Sequence, residues 1–190
     1  MNLYPNQLFH IYNRGNNKQR IFFKRENYLY FLQKVKEYLK PHADIIAWCL
    51  MPNHFHFLIY IRPEKDTKEV STAIQIILRS YTRGINKQEN RTGSLFTQNT
   101  CSKPLAEELR INYYATTCFH YIHQNPMNSG LVQRMEDWEF SSFRDYIGIR
   151  NGTLISREVT KRYIEVSDDY ERFYAESYKV ISDNLVEKLF

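Results

Sequence analysis

His54-Phe55-His56 sets two imidazoles two residues apart. In a strand such residues share a face, so both rings would point one way while Phe55, Phe57, Ile59 and Ile61 point the other. Two neutral imidazoles side by side suit a divalent metal, and histidine alone admits zinc, copper, iron or manganese. The same pair also arises by chance on a solvated or hydrogen-bonded sheet face, so a third donor and a reacting group must be found. Residues 105–125 offer both. At roughly 100° per residue from Cys118, Ile111, Tyr114, Ala115 and Ile122 fall within about 60° and define an apolar face. Tyr121, at about −60°, and Asn125, at about −20°, lie on that side one turn apart, so a hydroxyl and an amide would project together. His120 falls opposite and Gln124 well off the face, while Pro126 puts Asn125 at a fraying or capping position. On angle alone, a packed aromatic is the better reading of Tyr121. A phenol, with a pKa of about 10, becomes a useful nucleophile where a base or metal lowers the cost of ionisation, and a His-x-His strand beneath would supply that help. Asn125 could then complete three protein ligands around Mg²⁺ or Mn²⁺, leaving room for phosphate oxygens and water.

The elements that must position these groups follow from periodicity. Phe9, Ile11 and Asn13 alternate with His10, Tyr12 and Arg14 until Gly15-Asn16-Asn17, which reads as a strand near 8–14 and a turn. Tyr28, Phe31, Leu32, Val35 and Leu39 recur at helical spacing between Glu26 and Leu39. Ala43–Leu50 and His54–Ile61 read as an antiparallel hairpin around Met51-Pro52-Asn53. Lys68–Lys87 carries Val70, Ala73, Ile74, Ile77, Leu78 and Tyr81 on one stripe and Arg79, Arg83 and Lys87 on another. Residues 92–104 read as a loop or short extended segment, and Leu105–Gln124 as a helix stopping around Pro126. The order β, α, β, β, α and a further helix predicts an α+β fold, a ferredoxin-like or RRM-like antiparallel sheet with helices on one face. Residues 127–150 are expected to be irregular, and 151–190 to form one or two helices as an extension to a single domain of residues 1–150.

Composition narrows the partner. The chain has 190 residues, 43% apolar and 25% charged, as an ordinary globular protein has, and no stretch approaches the roughly 18 uncharged apolar residues of a membrane span. With no signal-peptide pattern at the start, a cytoplasmic, nucleoid-associated location is expected. Cys49, Cys101 and Cys118 are odd in number and far apart, which offers neither a disulfide framework nor a CxxC site. Residues 151–190 hold six basic and eight acidic residues, leaving 20 basic against 13 acidic for residues 1–150. A basic body with 12 Phe, 15 Tyr and 2 Trp points to a nucleic-acid partner, with Arg14, Lys18 and Arg20 around the first turn and Arg79, Arg83 and Lys87 on the second helix as candidate phosphate contacts. A solvated charged face explains each set equally well. The His-x-His strand argues against an RRM-like binder, which would present aromatic residues there.

Five ordered segments resemble the single-tyrosine HUH transposases, and among them the REP-associated tyrosine transposases: FHIYNRGNNKQRIF, AWCLMPNHFHFLIY, GSLFTQ, YIHQNPMNSGLV and DWEFSSFRDY, together spanning about residues 7–147. The resemblance implies an HUH endonuclease fold with His54 and His56 as metal ligands, Asn125 as the third, and Tyr121 as nucleophile. It also implies metal-assisted attack on single-stranded DNA, a 5′-phosphotyrosyl bond with a free 3′-hydroxyl, and recognition of hairpin-forming repeats. The family contains homodimers and monomers, and either remains open here. The segment after GSLF is less basic than the family pattern, which bears on local DNA contacts. Two alternatives stand beside this reading: a phosphodiesterase using water, and a domesticated sequence-specific DNA-binding protein without transposition activity.

Overall fold

The computed structural model describes residues 1–105 and 111–190. Four strands, β1 (Gln7–Arg14), β2 (Asp44–Met51), β3 (His54–Ile61) and β4 (Cys101–Pro104), form one antiparallel sheet in the order β2-β3-β1-β4. The expected loop before the third helix thus contains a short edge strand. Helix α1 (Arg25–Lys34), prolonged by a wider turn through Leu39, and α2 (Thr67–Gln88) lie on one face. There Phe9, Ile11, Trp48, Phe55, Phe57 and Ile59 pack against Phe31, Val35, Ile74, Ile77 and Tyr81. The stripe read from the sequence of α2 is the buried one, and Asp66 caps the helix by accepting from the Lys68 N–H.

The opposite face is covered too, which corrects the expectation of helices on one face. Leu8, Cys49, Met51, Leu58 and Tyr60 form a second apolar layer, and α3 (Ile111–Asn128) buries Ala115, Cys118, Phe119 and Ile122 upon it. Alternation of apolar residues on both sides of β2 and β3 requires this, because a face lined by leucine, methionine and tyrosine cannot be left in water without loss of hydrophobic stabilisation. Leu105 remains extended, its N–H donating to the Leu8 carbonyl, and the rest of the expected first turn of α3, residues 106–110, lies outside the described residues.

Residues 127–150 are less irregular than expected: 127 and 128 finish α3, and residues 129–156 run along the sheet. They wrap the outer edge of β2: Leu50 N–H donates to Phe140 O, Ser142 N–H to Trp48 O and Ser156 N–H to Ile45 O, so an edge that would otherwise offer unpaired backbone is closed. Helix α4 (Phe143–Tyr146) lies within this wrap. The tail holds three short helices where one or two are expected, α5 (Arg157–Tyr163), α6 (Tyr170–Ser177) and α7 (Asp183–Glu187). Ser156, Asp169 and Ser182 stand at their N-caps and restart the helix each time, the first two through side-chain hydrogen bonds. The tail is not a loose appendage, because Ile164, Phe173 and Leu189 are buried in the second core. Among the described residues no helix is long and apolar enough to cross a membrane, and the three cysteines are unpaired.

Candidate active site

The two-residue turn Pro52-Asn53 starts β3 on His54, and strand alternation carries His54 and His56 to the face beneath α3. On β1, Tyr12 stands opposite His56 and Arg14 opposite His54. Gly15 bends the chain sharply after β1: a Cβ there would lie 2.2 Å from the Gln19 carbonyl, so the turn admits only glycine. Its N–H donates to Asn53 O (2.8 Å), which locks the two turns together at the same end of the sheet. The result is a cleft of about 610 Å³ lined by His54, His56, Tyr121, Tyr12, Arg14, Lys18 and the 97–99 loop, with Phe190 from the tail.

Hydrogen bonds decide which ring nitrogens face the cleft. Asn53 Oδ1 lies 2.7 Å from His54 Nδ1 and, as an amide oxygen, accepts its proton, which leaves Nε2 of His54 bare. His56 Nδ1 lies 2.9 Å from Nε2 of His10, and His56 Nε2 is buried without a partner among the described residues. Burial holds the His54 pKa down, opposed by a hydrogen bond to Asn125, and holds that of His56 well below the usual imidazole range, helped by His10 and His54. Both rings are therefore neutral at pH 7, the form that ligates metals. Among the described residues no three His, Cys, Asp or Glu side chains make a ready ion site, so a third protein ligand must be of another kind. Asn125, whose side chain donates to Tyr121 O and acts on the pKa of both His54 and Tyr121, carries an amide oxygen that would serve. A buried imidazole nitrogen without a partner, a second bare one and an amide oxygen fit a divalent cation.

Helix α3 does not stop at Gln124. It runs through Pro126 to Asn128, so Asn125 is a helical residue and not a frayed cap. Proline near a helix end removes one donor and keeps helical φ. Here the Asn125 side-chain amide donates back to Tyr121 O (3.1 Å), and the helix closes where Gly130, at φ +69°, donates to Met127 O. The angular reading of Tyr121 and Asn125 thus survives the proline. The Tyr121 ring stands edge-on to His56 at 5.7 Å between centroids. Burial raises its pKa, and the hydrogen bond from Asn125 pulls it back down. Toward its C-terminal end the opposite side of α3 is not solvated: Gln124 Nε2 donates to Ser177 O and Lys179 O of the tail, and His120 and His123 are buried.

The candidate DNA-binding cations separate into groups. Arg14 and Lys18 line the cleft with Tyr121. Arg79 and Arg83 line a neighbouring groove of about 870 Å³ between α2 and the 94–100 loop, and Thr97, Gln98 and Asn99 border both. Arg20 and Lys87 line neither; Arg20 sits near Tyr28 instead. The loop between groove and cleft is held by Asn13, whose amide donates to Thr100 Oγ1 (2.9 Å) and whose Oδ1 accepts from Thr97 Oγ1 (2.7 Å).

Sequence reasoning passed over His10, Tyr12, Asn13, Asn53, Leu189 and Phe190. Tyr12 and His10 carry one signal, since alternation puts them on the polar side of β1, but only the register brings that side against His56. Asn53 is legible as a turn residue only. Nothing local in the tail announces that the Phe190 ring meets Tyr121 at 5.5 Å and Tyr12 at 4.9 Å.

Known proteins resemble this chain in sequence and in fold. A REP-associated tyrosine transposase of Haemophilus influenzae (strain ATCC 51907 / DSM 11121 / KW20 / Rd) is 24% identical over 109 residues, or 53% of this chain; the match spans 58% of that relative's length. The solved structure of a REP-associated tyrosine transposase bound to a REP hairpin superposes with a TM-score of 0.59 at 17% identity, over 96% of this chain and all of the other, which shows a shared fold. Residues 4–125, a span that holds the cleft's two histidines, Tyr121 and Asn125, match the family described as IS200-like transposases, and the chain belongs to that family.

Proposed function

We propose that the chain is a metal-dependent single-stranded DNA endonuclease and strand transferase that forms a 5′-phosphotyrosine intermediate through Tyr121 on hairpin-forming repeat DNA. The observation that carries this reading is the juxtaposition of the Tyr121 ring with a neutral, buried His56 whose Nε2 has no partner, in a cleft walled by Arg14 and Lys18. His54, His56 and Asn125 would hold the cation. When bound, Mg²⁺ or Mn²⁺ would offset charge on the phosphoryl oxygens.

The protein's own groups do the rest. Arg14 and Lys18 bind the phosphates flanking the scissile one, and Arg79 and Arg83 extend the track across the 97–99 loop. Asn125, which lowers the cost of ionising Tyr121, favours the phenolate at the moment of attack. The Tyr121 Oη–P bond forms as the P–O3′ bond breaks; the proton lost by the phenol is balanced by one taken up by the departing 3′-oxygen. The phosphate stays esterified, so a 3′-hydroxyl can reverse the step and join strands without a nucleotide cofactor.

Labelled single-stranded hairpin oligonucleotides incubated with protein and Mn²⁺, then run under denaturing conditions, test the reading. A labelled band at protein mass with the wild type and none with Tyr121→Phe is expected. An adduct that persists in Tyr121→Phe, or tight DNA binding with no adduct across a diverse oligonucleotide pool, would overturn it; the latter would favour a DNA-binding protein without strand transfer.

A further inference from the structure

We propose that His10 is a positioning residue which, held by the backbone carbonyl of Leu189, fixes the proton of His56 on Nδ1 and so turns the Nε2 lone pair of His56 toward the metal position. This rests on the reading of His56 as a metal ligand.

The chain of reasoning is one of donors and acceptors. His10 Nδ1 lies 3.0 Å from Leu189 O. A carbonyl oxygen only accepts, so Nδ1 carries the His10 proton. His10 is fully buried, and no acidic side chain pairs with it among the described residues, so it takes the neutral form with one proton. Its Nε2 is then a bare acceptor, 2.9 Å from His56 Nδ1. His56 must donate there, which leaves its own Nε2 as a lone pair, buried and without a partner. His54 reaches the same tautomer by a shorter route, through Asn53. A ligating histidine that gives its second ring proton to a neighbouring acceptor is oriented and made more basic by it. For His56 that acceptor is a third histidine, and the group that sets its tautomer lies 179 positions away in the sequence. The tail therefore contributes to the site through a backbone atom: α7 and the turn that closes it, with Leu189 N–H donating to Val186 O, place that carbonyl.

Long-range ¹H–¹⁵N correlation spectra of the metal-free full chain read the tautomers directly, and titration with Mn²⁺ alone reads the affinity. Both His10 and His56 are expected as Nδ1–H forms in the wild type. His10→Phe should lower Mn²⁺ affinity about 10- to 100-fold with a native-like backbone spectrum. His10→Gln should restore it to within about threefold, because its amide presents a donor and an acceptor as the ring does. An Nε2–H signal for His56 in the wild type, or wild-type Mn²⁺ affinity in a folded His10→Phe, would overturn the relay; the first needs no variant to fold. Wild-type protein that shows both Nδ1–H tautomers yet binds no Mn²⁺ would overturn the metal reading, and with it the purpose assigned to His10. The Tyr121 adduct is scored separately and distinguishes the two failures.

Discussion

His54 and His56 reach the cleft with their Nδ1 atoms engaged, by Asn53 and His10, and among the described residues the Nε2 of His56 is buried without a partner. That division of labour separates catalysis from affinity. Phosphate contacts from cations supply most of the binding free energy to nucleic acid, whereas on the proposed reading the histidines address one phosphate. His54→Ala and His56→Ala are each expected to reduce adduct formation by about 100-fold or more while leaving hairpin affinity within about threefold of wild type. Gel quantification beside fluorescence anisotropy at fixed salt checks this. Affinity that collapses together with cleavage would place the histidines in DNA binding instead.

At the scale of elements, α2 and the 129–156 wrap make different contributions. The α2 pair Arg79 and Arg83 lies one turn apart in a groove that meets the cleft at residues 97–99, so on the proposed reading both would face one strand path. Replacing either with alanine should lower the slope of log affinity against log salt by about 1, with Arg20→Ala as the control that leaves it unchanged. Equal slopes for all three would mean that the groove is not the DNA track. The wrap is held from inside: Asp145, 2% exposed, takes Arg150 through both carboxylate oxygens (2.7 and 2.8 Å) and also accepts from Gly152 N–H. Asp145→Ala leaves that guanidinium unpaired and the edge of β2 loosened, at an expected cost of about 3 kcal/mol in urea unfolding. A loss below about 0.5 kcal/mol would show the clasp to be dispensable.

Across the whole molecule, burial holds five histidines below their usual range: His10 and His120 to about 4, His54 by a lesser amount, and His56 and His123 well down. Desolvation is the leading cause in each. Above about pH 6.5 these rings are neutral in both folded and unfolded chains and contribute no pH dependence. As pH falls from there toward 4, the unfolded chain binds protons that the folded one refuses, so stability is lost. His10 and His120 alone account for on the order of 3 kcal/mol each by the time pH reaches 4. Against a typical total of about 5–15 kcal/mol, acid unfolding above pH 4 is expected. Urea midpoints between pH 7 and pH 4 test this, and a flat profile down to pH 4.5 would contradict it.

What the sequence determined by itself is what short-range periodicity encodes. Strand alternation sends His54 and His56 to one side and Phe55 and Phe57 to the other, and helical rotation puts Tyr121 with Asn125, because a side chain's direction depends on its own backbone geometry and that of its neighbours. The apolar stripe of α2 was readable for the same reason. Only the tertiary structure decided what meets those groups. The contact of His10 with His56 depends on strand register across 46 positions, and its contact with Leu189 on tail docking across 179. The cover on the second face, the sorting of Arg14 and Lys18 from Arg20, and the passage of α3 through Pro126 are of the same kind. Each is a choice among local conformations that sequence patterns leave nearly equal in energy, settled by burial and hydrogen bonding with residues far away in the chain.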